Sequence, residues 1–404
     1  MSSMSDSPPR ESFRLSQLIY DTRYRSLTIQ VVTLLLVCAG IYWLIDNLLA
    51  NLSLLGLTPN FGFLTSRANY DIGMTLIPYS SASTHARAAL VGIVNTLLVA
   101  ALGIVLATVI GVLAGVARLS KNWIISRLMA VYVEGFRNVP LLLWIVAIFA
   151  VMTEATPRPA DFREGGNASM IMDSVAITNR GVYIPGPVWG PNSGILVAVF
   201  VLSLIGAFAY RRYVKKLLFD TGKLLPMVWP IFVILLLPSI VAFFVLGRPV
   251  TLSYPELGGF NFRGGIQISN PLLALWLALS LYTGAFITEI VRAGILSVSK
   301  GQAEAAEALG LRPRRAMSLI ILPQAMRVII PPLTSQYLNL TKNSSLAIAV
   351  GYPDVRATLG GITLNQTGRA LESMLLLGLF YLALSLVISF VMNVYNNSMK
   401  LKER

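Results

Sequence analysis

Three groups of residues have the types and spacing to do chemistry. The first is GQAEAAEALGLRP, residues 301 to 313. Glu304 and Glu307 lie on neighbouring helical turns and can accept hydrogen bonds from another surface. Ala305, Ala306 and their small neighbours let that surface approach closely. Gly310 fits a helix C-cap and Pro313 opposes further winding. The second group is Lys342 with Asn339, Thr341, Asn343 and Ser344. A lysine inside an apolar run can meet a carboxylate, with amides and hydroxyls adding hydrogen bonds. It can equally be satisfied by a carbonyl or snorkel outward, and both readings stand. The third is two pairs at spacing three, Glu134/Arg137 and Glu289/Arg292. Each pair shares a helix face and reads either as a gate or as a structural ion pair. This is docking and ion-pair chemistry. One His (His85) and one Cys (Cys38) leave no material for a zinc site or a Ser-His-Asp arrangement. No catalytic residue, metal site or cofactor site is read.

The elements that must position these groups are membrane helices. Of 404 residues, 55% are apolar and only 12% charged, against about 25% charged in soluble domains. Eight stretches can span a bilayer: 27–49, 88–117, 128–153, 194–210, 224–247, 271–291, 326–350 and 373–396. In the fifth, Pro226, Pro230 and Pro238 predict a kinked helix. The fold class is an all-α integral membrane protein. The net charge of +14 does not point to nucleic acid. It falls in short clusters between apolar runs, with no basic face interleaved with aromatics. With the N-terminus inside, the inner segments hold twenty Lys and Arg and the longer outer loops nine. The positive-inside rule therefore places both termini, and residues 297–325, in the cytoplasm. His85 reads as part of an outer polar loop, Asp46 as an interfacial residue, and Gly111-x-x-x-Gly115 as a helix-packing site, including one across a dimer.

The spacing E-A-A, Gly310, then Ile320-x-Leu322-Pro323 resembles the cytoplasmic loop of bacterial ABC-importer permeases. Further matches are Tyr132-x-Glu134-x-Phe136-Arg137-Asn138-x-Pro140, Glu289-x-x-Arg292-Ala293-Gly294, Pro331-Pro332-Leu333 and Lys342-Asn343-Ser344-Ser345-Leu346. The chain is similar to the polar amino acid branch of that family, and most to first permease subunits of general L-amino acid importers. The resemblance implies a five-helix permease core at 88–153 and 271–396, carrying a coupling loop at 297–325. Outside that core lie the cytoplasmic segment 1–26, a first span and loop at 27–87, an insertion at 154–270 with two more spans, and a tail at 397–404.

The same resemblance implies a function and a mechanism. Glu304, Ala305, Ala306, Glu307, Gly310 and Arg312 would seat in a groove of an ATPase subunit dimer. A second, homologous permease would complete the path, and a periplasmic amino-acid-binding protein would deliver substrate through the inner membrane. No G-x-x-x-x-G-K-[ST] phosphate loop occurs, so ATP hydrolysis would fall to another chain. A secondary transporter using Lys342, Asp46 and Glu134 for ion coupling is the competing reading. It leaves the 304–323 pattern unexplained. An intramembrane enzyme lacks a carboxylate pair at mid-membrane depth.

Overall fold

The computed structural model describes residues 17–399 apart from 55 and 57, and omits the side chains of 17, 18, 23 and 399. Segments 1–16 and 400–404 lie outside the described residues, so the expectations placed on them remain readings of the sequence. The chain divides into two compact units, 1–62 and 63–404. The first is dominated by one long helix, α1 (Thr22–Leu54).

The second unit is a helical bundle. Its helices are α2 (His85–Arg118), α3 (Trp123–Asn138), α4 (Leu141–Glu154), α5 (Ser193–Thr221) and α6 (Val228–Val245). They are followed by α7 (Asn270–Leu296), α8 (Lys300–Ala308), α9 (Leu322–Asn343) and α10 (Ala370–Met399). Seven of the expected spans are single helical passages. The eighth, 128–153, is not: α3 and α4 meet at 107°. Pro140 has no N–H to continue the ladder and pushes Val139 to extended backbone, φ −109° and ψ 135°. Its 14 residues make α4 about 21 Å long, shorter than the hydrocarbon layer. Pro226 precedes α6 and only Pro238 lies in its interior. The expected triple-proline kink is thus reduced to one site.

Helix α7 is the axis of the bundle, with 61% of its apolar window buried. Helices α2, α4 and α9 pack around it through Val99, Ile145, Leu275, Leu279, Ile287 and Ile330. The α2–α7 contact depends on glycine. A Cβ on Gly111 would collide with Ile287, and one on Gly115 would stand 2.8 Å from Val291 and 3.0 Å from the Thr288 carbonyl oxygen. The Gly111-x-x-x-Gly115 pattern is therefore spent within the chain. Close to the same contact, the Tyr132 hydroxyl of α3 donates to the Leu281 carbonyl of α7 at 2.7 Å.

The two ends of the bundle differ. At one end the loops 154–193 and 248–270 form three small antiparallel sheets, two of which join the loops to each other. Strands β1 (Ala176–Thr178), β2 (Gly181–Ile184) and β3 (Gly186–Trp189) come from the first loop. Strands β4 (Val250–Ser253), β5 (Glu256–Gly258), β6 (Asn261–Arg263) and β7 (Ile266–Ser269) come from the second. The orders are β1-β2-β7, β3-β4 and β5-β6. Tyr183 and Phe262 form their core, with Phe162 edge-on to Phe262. Asn270 links this end to the bundle, its amide donating to the carbonyls of Asn179 and Met152 at 2.8 and 3.3 Å. The opposite end carries the ends of α2 and α7, and α8.

Replacing Gly111 by Leu forces α2 off α7, which is expected to cost about 3 kcal/mol. Thermal unfolding of the detergent-solubilised chain reads this as a lower midpoint. An unchanged midpoint would mean that the two helices are not in backbone contact.

Candidate functional site

Helix α8 forms because residues 300–308 are strong helix formers, and it stops where Gly310 turns left-handed at φ +71°. The Leu311 N–H then reaches back to the Ala306 carbonyl at 3.0 Å, and the Gly310 N–H to that of Glu307 at 2.8 Å. Together these bonds are the six-to-one and five-to-two pair of a Schellman cap. Ala306 faces inward and is 1% exposed. Glu304, Ala305, Glu307 and Arg312 are all exposed, as is Leu309 at the cap. A bond from the Gln324 amide to the Gln302 side-chain oxygen, 3.3 Å, ties α8 to the start of α9. The result is a short rigid helix with a bare face of two carboxylates, small side chains and one leucine.

Beside it lies a charged cluster in which the two expected pairs fare differently. Glu289 and Arg292 are paired as expected, Nε to Oε2 at 3.2 Å. Glu289 also binds Arg118, at the end of α2, which the sequence reading missed. Glu134 and Arg137 form no ion pair among the described residues. Arg137 instead lays its guanidinium over the Phe286 ring of α7, 5.1 Å from the centroid. Both residues lie within electrostatic reach of Arg118. Glu289 therefore has two arginine partners, Arg118 and Arg292, and bridges α2 to α7. Arg118 and Glu289 are about a fifth exposed, so the bridge is only partly screened by water.

The third group is divided by the α9 helix. Lys342 and Asn339 lie on its exposed face with Ser335. Thr341 and Ser344 are buried and turned to the core. The Thr341 hydroxyl donates to the Tyr337 carbonyl at 2.8 Å, and that of Ser344 to the Thr341 carbonyl at 2.7 Å. Asn343 is half-buried. Thr341 and Ser344 thus satisfy their own backbone, and the expected five-residue polar group reduces to Asn339 and Lys342, flanked by Asn343. A polar stripe on a membrane helix cannot face lipid tails without cost. It needs protein or water against it.

The sheet end is held by a polar knot. His85 is not in a loop: it opens α2, is 3% exposed, and its Nδ1 lies 3.0 Å from the Thr363 hydroxyl. Asn95 donates to the carbonyls of Met74 and Pro353 at 3.0 and 2.9 Å. The Thr96 hydroxyl accepts from the Val355 N–H at 3.0 Å. At Gly92 any side chain would meet the Asp354 carbonyl. Asp354 is fully buried. One of its oxygens caps the Ala357 N–H at 2.8 Å, while Oδ2 has no hydrogen-bond partner. Burial pushes its pKa up to about 7, opposed by backbone N–H groups and by Arg356. A cavity of about 520 Å³ opens beside this knot, lined by Asp71, Met74, Ser269, Gly351, Thr358 and Asn365.

The Asp354 shift has a defined sign. Its folded pKa lies above the unfolded value of about 3.9, so the folded state holds the proton more tightly. Stability contributed by Asp354 is full below the unfolded pKa and is lost as pH rises through 7. Asp354→Asn keeps the cap and removes the titration. The variant should unfold at a higher temperature than the native chain at pH 8, with the gap narrower at pH 5 and closed only below about pH 4. A gap independent of pH would contradict a buried, titrating carboxyl.

A family model described as "Binding-protein-dependent transport system inner membrane component" matches residues 194–401. The chain is 52% identical to the glutamate/glutamine/aspartate/asparagine transport system permease protein BztB of Rhodobacter capsulatus, over 99% of this chain and 100% of that one. It is 44% identical to the general L-amino acid transport system permease protein AapQ of Rhizobium johnstonii, over 97% and 96%. It is also 42% identical to the putative amino-acid ABC transporter permease protein YhdX of Escherichia coli, over 94% and 95%.

Proposed function

The chain belongs to the family of inner-membrane components of binding-protein-dependent transport systems, and on that footing we propose that it is the permease subunit of an ATP-driven importer of polar L-amino acids. The observation that carries the mechanism is α8: a capped helix with an exposed face and a bond to the start of α9. Seated in a groove of an ATPase subunit, it passes the closing motion of an ATPase dimer to α9 and, through the chain, to α7. The Arg118–Glu289–Arg292 bridge makes α2 and α7 move together. It serves as a structural clasp rather than a gate.

The exposed α9 stripe of Ser335, Asn339 and Lys342 supports a second, homologous permease packed against this face, with the path between the two. Lys342, about 22 Å along the helix from Arg327, then meets the carboxylate that every amino acid carries. The sheet end is the periplasmic face, where a soluble amino-acid-binding protein delivers substrate. α8 and both termini are cytoplasmic. Residues 88–153 and 271–396 form the permease core, and α1 and the 154–270 block are additions to it. The relatives' printed substrates, acidic amino acids and their amides in one case and general L-amino acids in another, favour polar side chains.

Two experiments test this reading. Gly310→Val places a β-branched side chain in a left-handed backbone conformation and removes the cap of α8. In vesicles holding the ATPase subunits and the binding protein, ATP-dependent uptake should fall about tenfold or more at equal membrane abundance. Uptake that persists, or that runs on an ion gradient without ATP, sinks the proposal in favour of a secondary transporter. Lys342→Met should raise the KM for substrate about tenfold, while Lys342→Arg restores most of it. An unchanged KM in the methionine variant removes Lys342 from the path.

A further inference from the structure

Helices α5 and α6 pack chiefly on each other, and no residue of α6 is buried. The hairpin therefore faces lipid along most of its length. Its membrane boundary is marked by a bond from the Tyr210 hydroxyl to the Pro226 carbonyl, 3.0 Å, level with the start of α6. From Gly194 to Tyr210 the sequence is uncharged, which covers about 25 Å of helix. Beyond that level α5 continues as helix to Thr221, about 16 Å further.

This extension carries Arg211, Arg212, Lys215 and Lys216, and Lys223 follows it. All five are exposed, and none joins an ion pair among the described residues. At about 100° per residue the four helical cations fall within about 140° of arc. They include two like-charged pairs at spacing four, Arg211/Lys215 and Arg212/Lys216, an arrangement that destabilises a helix on its own. Arg212 rests over the Phe208 ring one turn back, 4.8 Å from its centroid, which holds it at the boundary. Exposed Tyr213, Phe219 and Leu224 lie among the cations. A cluster of basic residues directly past the end of a spanning helix stands where anionic headgroups lie.

We propose that the inner end of the α5–α6 hairpin is a binding surface for anionic phospholipid headgroups, with Arg211, Arg212, Lys215 and Lys216 as its ligands. Two lipid phosphates set along the arc relieve the like-charge repulsion, and Tyr213, less than one turn past Tyr210, lies at the headgroup level beside them. The surface stands on charge and helix geometry alone, and does not depend on the transport reading.

The test is native mass spectrometry of the full chain, or of the complex it purifies with, under titration with phosphatidylglycerol or phosphatidylcholine. Each cation near a headgroup layer contributes about a fivefold preference for anionic lipid. The variant Arg211→Ala/Arg212→Ala/Lys215→Ala/Lys216→Ala should therefore bind phosphatidylglycerol about tenfold or more weakly, with phosphatidylcholine unaffected. A charge-preserving variant, Arg211→Lys/Arg212→Lys, should bind like the native chain and controls for folding. Equal phosphatidylglycerol binding by native and alanine forms overturns the proposal. So does displacement of the lipid by millimolar inorganic phosphate, which would make the site one for a free anion. Cross-linking from Lys215 to another protein chain in lipid-depleted complex would give the surface to a protein partner and also overturn it.

Discussion

The backbone contact between α2 and α7 is what the rest of the second unit depends on. Lipid tails are as apolar as leucine, so two membrane helices gain little by burying leucine against each other. They gain by close approach, which Gly111 and Gly115 permit opposite Ile287 and Val291. That approach centres α7 and sets α4 and α9 around it. It also carries the tip of α2 to the tip of α7, where Arg118 finds Glu289. The charged clasp therefore follows from the glycines: without the close approach, Glu289 would retain only its own-helix partner.

The two ends of the bundle are held by different forces. The sheet end uses short neutral hydrogen bonds from Asn95, Thr96 and His85 to the loop after α9. These are directional and indifferent to salt. The other end uses arginines and glutamates, which are softer in geometry and reach further. Helix α9 runs between them with the Thr341 hydroxyl bonded to its own backbone and Ser335, Asn339 and Lys342 on its exposed face. A directionally bonded end, a charge-held end and an uncovered polar stripe thus succeed one another along the bundle.

Local features were legible in the sequence and long-range ones were not. The Gly310 cap was readable because a left-handed residue after a run of helix formers depends on neighbours within six positions. The spans were readable from apolar length. The break at Val139–Pro140 was missed although Pro140 was in view, because the apolar run continues across it and hydropathy carries no direction. Thr341 and Ser344 were grouped with Lys342 by proximity in the chain. On a helix, however, residues one and two positions away face elsewhere. Arg118 was missed as a partner of Glu289 because 170 residues separate them and only the glycine contact brings them together. His85 reads as a loop residue in the sequence because its helix starts on that residue, after the Thr84 cap. The sheets are not legible in the sequence because their strands are three or four residues long and two of the four pairings cross a two-helix excursion.

That excursion leaves and returns through one doorway. In the β3–β4 ladder, Trp189 lies opposite Val250, and Gly186 opposite Ser253. In the β2–β7 ladder, Ile184 lies opposite Ile266. The α5–α6 hairpin thus leaves the fold and re-enters it through strands that are already paired. Trp189 and Val250 stand opposite each other, so a tight turn joining them would continue the ladder in its present register. The two-strand stem, rather than the helices beyond it, fixes where the excursion begins and ends.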